Sequence, residues 1–180
     1  MKWMIASDLH GAAACCEQLL AAYDREEADR LILLGDLLYH GPRNDLPVDY
    51  DPKRVIDLLN ARRQALLCVR GNCDTEVDQM VLSFPILAEY ALLSVGERLI
   101  FLTHGHHFNK TNLPPLNRGD ILLHGHTHVP AWEPAGDLLY CNPGSAALPK
   151  EGSERGYMTL EDSLLEWKTL GGDMYHRLAL

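Results

Sequence analysis

The sequence predicts an α/β fold in which two β-sheets stack face to face. Two observations carry the prediction. The first half alternates short apolar strands with helical segments, an order that implies parallel strands joined by helical crossovers. In the second half the helical periodicity gives way to short apolar runs separated by turn residues, the pattern of further strands. With 180 residues, the chain is read as one domain over residues 1–180.

The elements run in chain order. "KWMIAS" (2–7) is a short buried strand, and "AAACCEQLLAAYDREE" (12–27) a helix with Ala13, Cys16, Leu20 and Tyr23 on one face. "RLILLG" (30–35) is the second strand. "DPKRVIDLLNARR" (51–63) is a helix, because Asp51 is a good N-cap and Pro52 occupies the first helical position, where a missing N–H costs nothing. "ALLCVRG" (65–71) is the third strand, followed by a short helix through "TEVDQMVLSF". Then come "EYALLSV", "RLIFLTHG", "DILLHG", "DLLYC", "GYMTL" and "LLEWKTL", six strands punctuated by turns such as "SVGER" and "PAGD" and read as a meander. The longest irregular pieces, 40–50 and 106–119, are long enough to be functional rims.

Composition narrows the function. Sixteen basic against twenty-five acidic residues give a formal net charge of −9, which disfavours a stable nucleic-acid-binding surface. Hydrophobic content of 47% and charged content of 23% describe an ordinary soluble globular chain, and no run approaches a membrane span. The apolar stretch near the N-terminus ends at Asp8, too short for the core of an export signal. A cytoplasmic location is expected, with the five cysteines (15, 16, 68, 73, 141) reduced.

The chemistry sits immediately after the strands. "WMIAS" is followed by Asp8 and His10, "LILLG" by Asp36, "LLCVRG" by Asn72, "LIFLT" by His104, and "ILLHG" by His126 and His128. Each piece alone has an ordinary explanation: a turn at "DLH" or "GD", a left-handed Asn in "GNCD", solvated histidines in "HGH" and "HTH". Their joint occurrence at five strand ends does not, because ligands of open α/β sheets gather at the carboxyl edge. Seven donors exceed one tetrahedral site but suit two ions sharing Asp36. A donor set of Asp, His and Asn without thiolate points to Mn²⁺, Fe²⁺ or a similar ion.

These motifs ("DLHG", "GD", "GNCD", "HG" and "GHTH", in this order) resemble the calcineurin-like metallophosphoesterase superfamily, and "HGPRN", "GNCD" and "NPGS" are most similar to its small bacterial YfcE-type phosphodiesterases. The resemblance implies a four-layer α/β/β/α sandwich of the metallophosphoesterase type. It also implies two divalent metal ions, most commonly Mn²⁺, the first held by Asp8, His10, Asp36 and His128 and the second by Asp36, Asn72, His104 and His126. The implied activity is hydrolysis of a small phosphodiester by attack of a hydroxide that bridges the metals. The implied assembly, a dimer or higher homo-oligomer, also draws on apolar residues of "LLEWKTL" and "EYALLSV" that look exposed.

Many members of the superfamily carry a histidine directly after the ligand asparagine, where it protonates the leaving oxygen; here that position is Cys73, a weak acid. His106, just past ligand His104, is the candidate replacement. Asn72 is expected to hydrogen-bond the phosphate, and Asp74 to orient a neighbouring histidine or backbone group. Arg43 and Asn44 lie in the first rim loop, His124 supports a strand end, and Asn142 is a turn residue. Alternative readings are a phosphomonoesterase on the same ions, or a non-catalytic interaction scaffold like the retromer subunit of this fold. Competent donors at all seven positions favour an enzyme over the scaffold.

Overall fold

The computed structural model describes all 180 residues. The chain begins β1 (Trp3–Ala6), α1 (Ala13–Glu26), β2 (Arg30–Leu33), α2 (Pro52–Ala61), β3 (Leu66–Cys68) and α3 (Glu76–Val81). Asp51 accepts the Arg54 N–H and so caps α2, with Pro at its start. Thr75 and Asp78 form a reciprocal capping box that makes the six residues of α3 helical.

Eight more strands complete the chain: β4 (Ala91–Val95), β5 (Arg98–Thr103), β6 (Ile121–His124), β7 (Pro130–Ala135), β8 (Leu138–Pro143), β9 (Gly156–Glu161), β10 (Leu164–Thr169) and β11 (Met174–Ala179). They do not form the simple meander expected. One sheet runs β11-β10-β9-β1-β2-β3 and the other β4-β5-β6-β8-β7. Strands β1, β2 and β3 are mutually parallel, and so are β5, β6 and β8. Only β9 to β11 meander, and they do so on the first sheet. Two strands escaped the sequence pattern. β7 carries two prolines within "PAWEPA", which ordinarily argue against a strand and are tolerated because β7 is a sheet edge. β11, the other unexpected strand, is also an edge, with much of its length exposed.

Alternation along each strand divides the apolar residues between layers. Ile5, Ile32, Leu34 and Val69 of the first sheet meet Ile100, Leu102, Ile121, Leu123 and Cys141 of the second in a central core. The other face of the first sheet packs Met4, Leu31 and Leu33 against Cys16, Leu19 and Leu20 of α1 and Val55 and Leu59 of α2. On the outer face of the second sheet, Phe101, Leu122 and Tyr140 are covered by Phe108 and Leu116 from the long loop after β5. The mixed α/β two-sheet sandwich is therefore the expected one, with an irregular segment rather than a helix as its last layer. Leu165 and Trp167 of "LLEWKTL" are fully buried in the central core, so they offer no surface for assembly; Tyr90 and Leu92 remain exposed. No helix is long and apolar enough to cross a membrane.

Candidate metal centre

Parallel strands within each sheet bring five carboxyl ends to one edge of the sandwich, and the two sheets meet there. Asp8 Oδ2 on the first sheet accepts the backbone N–H of His126 on the second at 3.0 Å. His104 Nε2 reaches back to within 3.4 Å of Asp36 Oδ2. The loops after β1 and β2 continue the parallel ladder, since His10 N donates to Asp36 O at 2.9 Å and Gly11 N to Leu37 O at 2.9 Å.

The backbone at this edge is held away from its resting conformations. Asp8, His10, Asp36, His126 and His128 all have positive φ, between 48° and 66°. Each such residue costs roughly 1 kcal/mol or more, and strain of this kind gathers at functional sites. Asp and His are among the side chains that best tolerate it. Two glycines are required by close approach. A Cβ on Gly71 would collide with the Asp36 carboxylate, and one on Gly125 with the Ser7 hydroxyl and the Asp8 carboxylate.

Three of the four inward-facing imidazoles are fixed from behind. His10 Nδ1 donates to Tyr39 O at 2.8 Å, His104 Nδ1 to Leu34 O at 2.7 Å, and His128 Nδ1 to Leu148 O at 2.6 Å. A carbonyl only accepts, so the proton of each neutral ring sits on Nδ1 and the lone pair of Nε2 faces inward. The inward atoms then crowd together. His10 Nε2 and His128 Nε2 are 3.2 Å apart, with Asp8 Oδ1 at 3.6 Å from the first and 3.3 Å from the second. Asp8 Oδ1 is buried and has no hydrogen-bond partner. On the other side, His104 Nε2 lies 3.1 Å from Asn72 Oδ1 and 3.0 Å from His126 Nδ1. His10 Nε2, His128 Nε2 and Asp8 Oδ1 are acceptors facing acceptors, which repel unless a cation lies among them, and mixed N and O donors suit divalent transition metals. Asp8, His10 and His128 form one candidate ligand group, and Asp8, Asp36 and His104 another.

Where no cation lies among these atoms, protons on the imidazoles take its place. Burial raises the pKa of Asp8, but His10 and His128 outweigh it and hold the carboxyl well below its usual range. Burial lowers that of His104, but Asp36 and Asp8 win and push it up to about 9. A proton therefore resides on His104 when no metal competes, and a divalent ion displaces it.

The supporting residues divide by role. Asp74 is buried and accepts Asp36 N at 2.8 Å, Leu37 N at 2.9 Å and Gly71 N at 2.7 Å, stapling the β2 turn to the β3 turn. Its partners are backbone groups and not a histidine. Asp36 Oδ1 in turn accepts Cys73 N at 2.8 Å. Ser145 Oγ donates to Asp8 O at 2.8 Å, and Asn142 ties Gly125, Thr127 and Tyr140 together behind the site. His124 bonds Gly125 O and packs on Tyr140.

A cleft of about 340 Å³ opens over the centre, with Asp36, Arg43, Asn72, Cys73, His126 and Lys150 among its lining residues. Arg43 and Asn44 both face it, and Asn44 also braces its own loop through His40 O. Lys150 gave no signal in the sequence, since it follows no strand and belongs to no motif. His106 does not line the cleft, and burial together with His104 pushes its pKa down to about 4. At neutral pH it lacks the proton that a general acid must give. Cys73 is no substitute, since burial and Asp36 push its thiol up to about 12.

The comparisons agree with the geometry. Residues 1–163 match the model of the calcineurin-like phosphoesterase superfamily domain. The chain is 46% identical over 165 residues to phosphodiesterase YfcE of Escherichia coli K12, covering 92% of this chain and 90% of the relative. It is 29% identical to the probable metallophosphoesterase YsnB of Bacillus subtilis, over 90% of this chain and 86% of that one. The solved structure of the E. coli phosphoesterase Yfce superposes with a TM-score of 0.94 at 43% identity, covering 99% of each chain.

Proposed function

The chain belongs to the calcineurin-like phosphoesterase superfamily, and from that premise we propose how its residues divide the work of a metal-dependent phosphodiesterase. One domain spanning residues 1–180 holds two divalent ions. Asp8, His10, Asp36 and His128 ligate the first; Asp36, Asn72, His104 and His126 ligate the second. Mn²⁺ fits this thiolate-free donor set. The observation that carries the reading is the convergence of carbonyl-anchored imidazoles and the unpartnered Asp8 Oδ1 on the same small volume.

When bound, the ions supply positive charge and lower the pKa of water. The protein supplies position. Asp8 and Asp36 remain ionised, so four positive charges meet two formal negative ones and the pocket stays cationic within an acidic protein. Arg43 and Lys150 line the cleft and attract the phosphate of a small diester. Asn72 lines the same cleft, where its amide would hydrogen-bond the phosphate. Asp74 acts on no substrate atom; it holds Asp36 by the backbone. Neither the Cys73 thiol nor His106 offers a ready proton to the leaving oxygen, so diesters with stable leaving anions are the best substrates.

The enzyme works in the cytoplasm as a homo-oligomer. Exposed Tyr90 and Leu92, each 51% accessible beside or on the unpaired edge strand β4, support self-association. The test of the activity is hydrolysis of activated aryl diesters, monoesters and cyclic nucleotides by protein stripped with chelator and then reconstituted with Mn²⁺. Diester turnover should appear only after reconstitution; full turnover by the stripped protein contradicts the reading. Light scattering should give a mass at least twice 20.2 kDa, and a species of 20.2 kDa alone contradicts the assembly.

A further inference from the structure

Outside the centre, three more donor groups converge. Glu89, His106 and His107 each present one ligand atom, and the three atoms lie within 4.8 Å of one another. We propose that they form a separate, peripheral site for a divalent transition-metal cation of the zinc class.

The two segments that carry these donors share one anchor. Tyr90, next to Glu89, stacks on Phe101 with centroids 4.8 Å apart. Phe108, next to His107, meets the same Phe101 edge-on at 5.3 Å. Thr103 Oγ1 donates to Glu89 O at 3.1 Å, and Asn112 Nδ2 donates to His107 O at 3.0 Å. Packing beneath them thus brings together the backbones that carry the donors, so that a ligand has only side chains left to order. His106 Nδ1 is a buried ring nitrogen without a hydrogen-bond partner, and the His106 and His107 rings lie 4.1 Å apart.

Two imidazoles and one carboxylate, with a fourth position open to water, are a common zinc donor set. Zn²⁺, Ni²⁺ and Cu²⁺ bind nitrogen donors more tightly than Mn²⁺ does, so the peripheral site selects ions that the main centre does not require. The one competitor in place is Arg70, whose Nη1 is 3.7 Å from Glu89. That loose pair, with Glu89 exposed and Arg70 half-buried, is weak, and inner-sphere coordination displaces it.

The experiment is equilibrium dialysis against micromolar Zn²⁺ with metal analysis, on the full chain and on His107→Ala and Glu89→Gln. Wild type should bind about three ions and each variant about two, with unchanged circular dichroism. Both substituted side chains lie outside the two-ion centre, so diester turnover with Mn²⁺ alone should not change. Equal metal content in wild type and His107→Ala overturns the proposal. The readout is that difference, so it holds even if the main centre takes fewer than two ions; failure of the two-ion reading would appear as a lower count in all three proteins.

Discussion

Two clusters of charge, one half-buried and one buried, lie at opposite ends of β1, and they are built on opposite rules. At its amino end, Glu26 at the end of α1 accepts from Lys2 Nζ at 2.7 Å, from Lys168 Nζ at 2.9 and 3.0 Å, and from Tyr157 OH at 2.8 Å. Every carboxylate oxygen there has a cationic partner, and Glu26 is driven down to about 2 because those partners outweigh its burial. At the carboxyl end, Asp8 Oδ1 has no hydrogen-bond partner, acceptor nitrogens face one another, and five of the candidate ligand residues sit at positive φ. The first cluster is complete within the chain and serves stability. The second is incomplete, and what it lacks is positive charge. Burial of polar groups alone does not mark a functional site; burial without internal satisfaction does.

Four substitutions sharpen this contrast, in falling order of effect. Asp36→Ala removes the carboxylate assigned to both ions. It should lower turnover by about 10³-fold or more, since several kcal/mol of charge stabilisation disappear. Folding should be retained, as the core strands beneath are untouched; kcat/KM and thermal melting measured together check both halves.

Asp74→Ala should act at both levels. Three buried N–H groups lose their acceptor, which costs about 3–5 kcal/mol of stability, and the loosened Asp36 should cost about 10–100-fold in activity or metal affinity. Urea melts with and without Mn²⁺ separate the two effects. Activity equal to wild type in folded protein would remove Asp74 from the site.

Cys73→His tests the missing acid. A general acid is worth about 10²–10⁴-fold when the leaving oxygen needs a proton. An imperfectly placed one should recover about tenfold or more for alkyl and nucleoside leaving groups and leave nitrophenolate rates alone. A series of diesters of graded leaving-group pKa should show a steep dependence in wild type that flattens in the variant. A flat wild-type dependence, with chemistry rate-limiting, means that another residue already donates.

Glu26→Gln belongs to the closed cluster and should leave turnover unchanged while lowering stability by about 2 kcal/mol at neutral pH. The sign comes from linkage. A folded pKa of about 2 lies below the usual carboxylate value of about 4.3, so the stabilisation is complete above the higher value and is lost as pH falls through the lower. The variant should therefore lose less stability than wild type between those limits, measured by urea melts in acid.

Much of this was legible in the sequence because it depends on the residues placed directly after each strand. Donors at a fixed point beyond apolar runs pointed to a sheet edge, and parallel crossovers indicated which ends of β1, β2 and β3 meet; the parallel pairing of β5, β6 and β8, which brings His104 and His126 to the same edge, was hidden by the apparent meander. The illegible part depends on edges and on backbone. β7 and β11 are edge strands whose prolines or exposed faces break the apolar pattern. The carbonyls of Leu34, Tyr39 and Leu148 that orient the imidazoles belong to residues with no distinguishing side chain. His106 is the sequence's candidate acid because it follows His104; burial, with that same proximity to His104, lowers its pKa to about 4.

The central claim is that the open cluster is completed by two cations sharing Asp36. Crystals grown with Mn²⁺ and measured across its absorption edge test it directly. The claim predicts two anomalous peaks, one among Asp8, His10, Asp36 and His128, the other among Asp36, Asn72, His104 and His126. A single peak, or density away from these seven side chains, would contradict it.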